Sequence, residues 1–137
     1  MAISDKTFSL EIMTPLKSAF KGDAQSLIAK GTEGYFGVLS NHAPMLAALD
    51  FGPLFIRDGE GKDHWFVVSN GFFEVRQNRA ALLIETCESK EEVDVERAKA
   101  AKERAEKRLS ERDTNIDVER ARNALARALA RIQLASR

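Results

Sequence analysis

The sequence predicts an all-β sandwich followed by a two-helix antiparallel hairpin. Three observations lead there: a two-residue apolar period running to about residue 86, eight glycines all within 22–71, and a stretch over 93–137 with neither Gly nor Pro. The domains are accordingly drawn at 1–86 and 87–137. A chain of 137 residues buries one ordinary core with an appendage, not two generous cores.

The sandwich reading builds strand by strand. Phe8, Leu10 and Ile12 alternate with Ser9 and Glu11 until Thr14-Pro15 ends the run. Short apolar stretches follow: SLIA at 26–29, YFGVL at 35–39, PLFIR at 53–57, HWFVVS at 64–69, GFFEVR at 71–76 and AALLIE at 80–85. Turn chemistry separates them at Lys30-Gly31, Ser40-Asn41-His42, Asp58-Gly59-Glu60-Gly61 and Gln77-Asn78. Many short strands joined by tight turns make a sandwich or a partly closed barrel.

The second region is dense in Ala, Arg, Glu and Lys, which enter helices at low entropic cost. Asp94 is placed to cap the first helix, and Ala98, Ala101, Ala105 and Leu109 recur on one face. Polar residues interrupt the pattern over 110–115. Asp117 then repeats the cap, and Ala121, Leu125, Ala128 and Ile132 repeat the face, with Leu129 expected to widen it. The openings VDVERA at 93–98 and IDVERA at 116–121 are 23 residues apart. A short connection between two amphipathic helices predicts an antiparallel hairpin. An alanine seam buries little apolar area, so it marks either a movable element or a rigid hairpin held permanently on the sandwich.

Formal charge is zero, so the overall balance gives no reason to expect nucleic acid as a partner. Its distribution is uneven: 9 basic and 13 acidic residues over 1–92, 7 and 6 over 93–113, and 5 and 2 over 114–137. The basic C-terminal end suits an acidic partner surface. Cys87 is the only cysteine, excluding an intrachain disulfide and reading as a small buried apolar group. Asp5, Lys6 and Glu11 break any signal-peptide pattern, and no apolar run approaches the roughly 20 residues that cross a bilayer.

Enzymatic signatures are missing: no GxGxxG, Walker loop, HExxH or GxSxG occurs. His42 reads as a structural or interface residue, and His64 as cross-strand packing beside Trp65. Asp58, Glu60 and Asp63 flank a turn and read as solvated carboxylates rather than a metal site. The helices offer a more specific arrangement. Asp94 and Arg97 span the first helical turn, while Arg127 and Arg131 share a face of the second helix. In an antiparallel hairpin these groups converge, and forked guanidiniums near a helix start make a phosphate site. The alternative is ordinary solvated helix charge.

Four segments together carry a family resemblance: Thr14-Pro15, GTEGYFGVLSNHAPM at 31–45, SNGFFEVRQN at 69–78 and VDVERAKAAKERAEKRL at 93–109. With them the whole chain resembles the epsilon-subunit family of bacterial F-type ATP synthases. The resemblance implies a flattened sandwich of about ten strands, bound to the gamma subunit and to the membrane rotor ring of c subunits. It implies a non-catalytic part of the rotating central stalk, peripheral on the cytoplasmic side of the cell membrane. Gly34, Gly37, Asn41, His42 and Pro44 would lie in a loop region near the ring.

The same resemblance implies that the hairpin either folds down or extends into the alpha–beta hexamer, where it blocks ATP hydrolysis. Arg120, Arg122, Arg127 and Arg131 would then meet acidic segments of the catalytic subunits. A structural stalk subunit with a permanently folded hairpin and no nucleotide sensing is the alternative. Some bacterial members bind ATP as a regulatory ligand through a motif of Ile or Leu followed by Asp-x-x-Arg-Ala. This chain has Val93 at the first position and matches the remainder. The family's cofactor-binding positions carry onto Glu88, Asp94, Arg97, Ala98, Arg127 and Arg131, with no catalytic or metal-binding residues.

Overall fold

The computed structural model describes residues 6–111 and 117–137. Nine strands come first: β1 (Phe8–Met13), β2 (Ser18–Gly31), β3 (Gly34–Leu39), β4 (Met45–Leu49), β5 (Gly52–Asp58), β6 (Asp63–Val68), β7 (Gly71–Arg76), β8 (Arg79–Ile84) and β9 (Cys87–Ser89). A 3-10 turn at Lys90–Glu92 leads into α1 (Val95–Ser110), and α2 (Val118–Ala135) follows. The chain divides into Met1–Glu88 and Ser89–Arg137. The division falls after Glu88 rather than after 86 because β9 still belongs to the sheet, with Cys87 in the sandwich core.

Strand β2 organises the first unit. It runs for 14 residues and pairs with β1 along its first half, then with β3 and β5 along its second. From β1 the sheet continues through β8 and β7 to β4, which returns to β2 at Gly31. On the other side it continues through β5 and β6 to β9. The β1–β8 pair is parallel, whereas β1–β2, β2–β3, β4–β7, β5–β6 and β7–β8 are antiparallel. One strand therefore serves two layers, so nine strands occupy the place of the ten that the resemblance implies.

A bulge makes this sharing work. The β2–β5 register shifts between Ala24 and Ser26, an irregularity that reverses which face each later residue meets. Ala24 and Leu27 are consequently both buried although three positions apart, and Ala29 follows Leu27 inward. The same phase change hides the strand from a two-residue period. The first half of β2, SAFKGDAQ, is poor in strand-forming residues and is held as a strand by pairing with β1.

The core between the layers contains Phe8, Leu10, Ile12, Leu27, Leu54, Ile56, Phe73 and Leu82, all nearly inaccessible. Phe36 and Phe73 meet with ring centroids 5.3 Å apart. The link between β6 and β7 is tied down by Ser69, whose hydroxyl accepts from the N–H groups of Glu85 at 2.9 Å and Thr86 at 3.0 Å. Two sequence expectations change. Lys30-Gly31 lies within β2, with the turn at Thr32 and Glu33, and the segment after Pro44 forms β4.

In the second unit the helices pack together as an antiparallel hairpin. The 3-10 turn before α1 contacts α2, and the Lys90 ammonium donates to the carbonyl of Arg137. At the other end α1 stops at Ser110 and α2 begins at Val118. The expected polar break over 110–115 lies mostly outside the described residues. The seam alanines are Ala98 and Ala105 on α1 and Ala121 and Ala128 on α2. All four alanines are buried. Leu129 is 46% exposed instead of widening the face, and Leu134 is buried near the end.

Gly71 is the backbone position least able to carry a side chain. An added Cβ would stand 2.1 Å from the Leu83 carbonyl oxygen and 2.7 Å from an Ile84 methyl carbon. Gly71→Ala therefore forces β7 and β8 apart where Gly71 pairs with Ile84. It is expected to cost about 2–3 kcal/mol, read as a fall in the urea midpoint of unfolding.

Candidate functional site

The helix starts are built alike. Asp94 is extended (φ −83°, ψ 97°), and its Oδ1 accepts the Arg97 N–H at 3.1 Å. Asp117 has nearly the same backbone angles, and its Oδ1 accepts the Arg120 N–H at 3.0 Å. Each carboxylate satisfies a donor that the first helical turn leaves unpaired, and its charge complements the positive helix end. The repeated DVER opening is thereby explained as capping chemistry at both sites.

Only the first start shares its end of the hairpin with the C-terminal half of α2, which carries Arg127 and Arg131. Contact of the 3-10 turn and Lys90 with the C-terminal end of the chain puts the start of α1 and the end of α2 at one end of the unit, and Arg131 lies near that end of α2. Arg127 lies one turn farther from that end, about 6 Å at 1.5 Å per residue. Arg97 and Arg127 are exposed, Arg131 is half-buried, and Ala98 is buried beside the exposed cap. Helix geometry keeps Arg127 and Arg131 on one side of α2. The hairpin thus brings five of the six candidates to one end of the second unit. Glu88, the sixth, stands half-buried on β9 in the first unit. What the five supply is chemically simple: a capped helix start, forked cationic donors and a small buried residue on α1.

The first unit carries a separate cluster of turns at one end. The β1–β2 register sets Phe8 against Ala24, and the β2–β3 register sets Ser26 against Leu39. Gly59 donates to the Asp23 carbonyl at 2.8 Å, and Ser9 donates to the Asn78 carbonyl at 3.1 Å. The start of β1, the β3–β4 loop, the β5–β6 turn and the β7–β8 turn therefore share one end of the sandwich. Ala43 and Pro44 are exposed there, and His42 is half-buried with its Nδ1 2.6 Å from the Ala43 oxygen. Of the glycines associated with this loop by sequence, Gly34 lies at the opposite end of β3, while Gly37 lies within that strand.

The β5–β6 turn contains more order than solvated carboxylates would show. Asp58 Oδ1 accepts the N–H groups of Glu60 and Lys62, both at 2.9 Å, while Oδ2 meets His64 Nε2 at 2.8 Å. His64 also packs edge-on against Phe20 and parallel to Phe66. Arg57 donates to Asp63 at 2.8 Å. The hydrogen bond from His64, followed by the N–H of Lys62, holds the Asp58 carboxyl below its ordinary range. The Arg57 hydrogen bond does the same to Asp63, and Asp63 raises Arg57 in return. Sequence reasoning found the turn but missed this network, for which Asp two residues before a Glu and six before a His was the available signal.

Comparisons with known proteins agree along the whole chain. Residues 7–90 match the family model "ATP synthase, Delta/Epsilon chain, beta-sandwich domain". Residues 91–136 match "ATP synthase, Delta/Epsilon chain, long alpha-helix domain". The ATP synthase epsilon chain of Syntrophomonas wolfei is 44% identical over 98% of each chain. That of Pelotomaculum thermopropionicum is 48% identical over 80% of this chain and 81% of its own. Among solved structures, a chain in the OSCP/F1/c-ring part of Euglena gracilis mitochondrial ATP synthase superposes with TM-score 0.82. It is 21% identical and covers 96% of this chain and 82% of its own. The central stalk/c-ring structure from Tetrahymena thermophila gives TM-score 0.59 at 17% identity, covering 93% and 92%. Those structural likenesses concern the fold.

The linked carboxylates determine an acid response. A depressed carboxyl pKa stabilises the fold above the ordinary value of 3.8, and that contribution disappears as pH falls through the depressed value. Between about pH 5 and pH 2, the thermal midpoint of the intact chain is expected to fall. Asp58→Asn should flatten that dependence, as measured by a melting series across this window. Separately, Asp94→Ala removes the cap of α1 and is expected to destabilise the hairpin by about 1 kcal/mol, read from helical circular dichroism on heating.

Proposed function

Because the chain belongs to the ATP synthase delta/epsilon chain family, we propose that it is a non-catalytic rotor subunit of the central stalk. Its sandwich engages the gamma subunit and the membrane rotor ring, and its hairpin restrains ATP hydrolysis. The observation that supports this reading best is the pairing of a well-packed sandwich with a separate, lightly stabilised hairpin. The sandwich core fixes a rigid coupler. The hairpin seam holds together through alanines, each methyl contributing about 0.8 kcal/mol against roughly 1.5–3 for a larger aliphatic side chain. Two arrangements of such an element can lie within the few kcal/mol that partners shift.

No helix among the described residues is long and apolar enough to cross a membrane. Attachment through the ring and gamma accordingly makes the chain a peripheral component on the cytoplasmic side of the cell membrane. The exposed Arg120, Arg122 and Arg127 on α2 supply basic contacts for acidic segments of alpha and beta when the hairpin extends.

ATP is the proposed regulatory ligand of the hairpin. Arg127 and Arg131 receive phosphates, while Asp94 and Arg97 form the helix start beside them and Ala98 leaves room for the base or ribose. Glu88 joins this set through the sequence motif alone. ATP bound to the folded hairpin favours that arrangement by mass action.

Adding the intact chain to an alpha–beta–gamma complex is expected to lower ATP hydrolysis, and a chain ending at Ser89 should bind without lowering it. Equal hydrolysis with both would leave a structural stalk role with a permanently folded hairpin. In calorimetry on the intact chain, Arg131→Ala should weaken ATP binding by about tenfold or more, as loss of a charge-assisted hydrogen bond predicts. No heat from ATP at millimolar concentration with the intact chain would remove ATP as the ligand.

A further inference from the structure

Asn78 joins three segments far apart in sequence. Its side-chain Oδ1 accepts the N–H of Asn41 at 2.7 Å, and its Nδ2 donates to the Thr7 carbonyl at 2.8 Å. Its main-chain carbonyl accepts the N–H of Ser9 at 3.1 Å. Both ends of the carboxamide are therefore engaged, which fixes its orientation. Thr7 is buried, so the donor end is anchored to a constrained part of the sandwich.

The acceptor end meets the β3–β4 loop where its path is set. Asn41 has φ 61°, a left-handed conformation, separated from the end of β3 at Leu39 by Ser40 alone and immediately before His42. Gln77 and Asn78 are also left-handed, at φ 49° and 62°, as a tight two-residue hairpin turn requires. One left-handed turn thus holds another through a single side chain. Asparagine suits the position because it tolerates this conformation and supplies an acceptor and a donor together.

We propose that Asn78 is a positioning residue for the rotor-ring contact: it holds the turn at Asn41 and so presents His42, Ala43 and Pro44 in one arrangement. This rests on the reading of that loop as ring-facing. A preorganised loop loses less freedom on docking than one ordered only by its partner. The role of Asn78 is to act through Asn41.

Two substitutions separate backbone from side chain. Asn78→Gly keeps the left-handed backbone and deletes both side-chain hydrogen bonds. Asn78→Asp keeps the acceptor for Asn41 and deletes the donor to Thr7. The test uses the intact chain with gamma and a detergent-solubilised rotor ring, with amide hydrogen exchange at Asn41 measured alongside binding. In Asn78→Gly, Asn41 is expected to exchange about tenfold faster and ring affinity to fall about tenfold, while gamma binding is unchanged. Asn78→Asp should retain Asn41 protection and keep ring affinity within about twofold of the parent.

His42→Ala tests the reading of the loop itself. Weaker ring binding with His42→Ala, but parent-like binding with Asn78→Gly, would overturn the positioning role and leave the loop contact standing. Parent-like ring binding by both variants would overturn both. Equal loss of gamma and ring binding in Asn78→Gly would also overturn the proposal, because it would mark a general structural role.

Discussion

The need of one long strand to satisfy its backbone on both edges governs the first unit. Over its 14 residues, β2 offers main-chain donors and acceptors that cannot be left buried and unpaired. β1 covers its first half, and β3 and β5 meet its second half, with β4 joining at Gly31. Because β1 and β5 lead to opposite layers, the strand couples those layers through hydrogen bonds as well as through the core. The bulge near Ala24 keeps Ala24 and Leu27 facing inward despite their odd spacing. Without that phase change, continued pairing would turn half of the strand's apolar residues toward solvent.

The two units solve different mechanical problems. Large interdigitating side chains such as Phe8, Phe73, Leu10 and Ile56 give the sandwich a shape that resists deformation. The hairpin uses buried alanines, which permits close helix approach with little apolar area. A subunit proposed to transmit rotation and also to regulate it needs both properties. Rigidity belongs where torque passes, and a small energy difference belongs where a switch must move.

Turns at one end of the sandwich are held by side chains that copy backbone chemistry. Asp58 accepts two main-chain N–H groups within its own hairpin, and Asn78 accepts one from the β3–β4 loop. The first arrangement is local and follows from an Asp at a turn. The second links residues 37 positions apart in sequence. Only the second can make the geometry of one exposed loop depend on another.

The sequence alone determined the elements whose local and global preferences agree. The alternation of β1, the apolar runs of β5 to β8, and the Asp-capped alanine helices all carry their own period or cap. The family resemblance nominates Glu88, Asp94, Arg97, Ala98, Arg127 and Arg131 for the proposed ATP site. Tertiary structure decided the rest. β4 reads MLAAL, β9 has three residues, and the first half of β2 carries Lys, Gly and Asp, so none announces itself by propensity. Each is a strand because neighbouring strands present unpaired backbone groups at the right spacing. Leu129 shows the same limit in reverse: its helical spacing matches the apolar face, yet the packing leaves it substantially exposed. Local period and capping chemistry are written within a few residues, whereas pairing partners, bulge phase and the Asn78–Asn41 hydrogen bond exist only once distant segments meet.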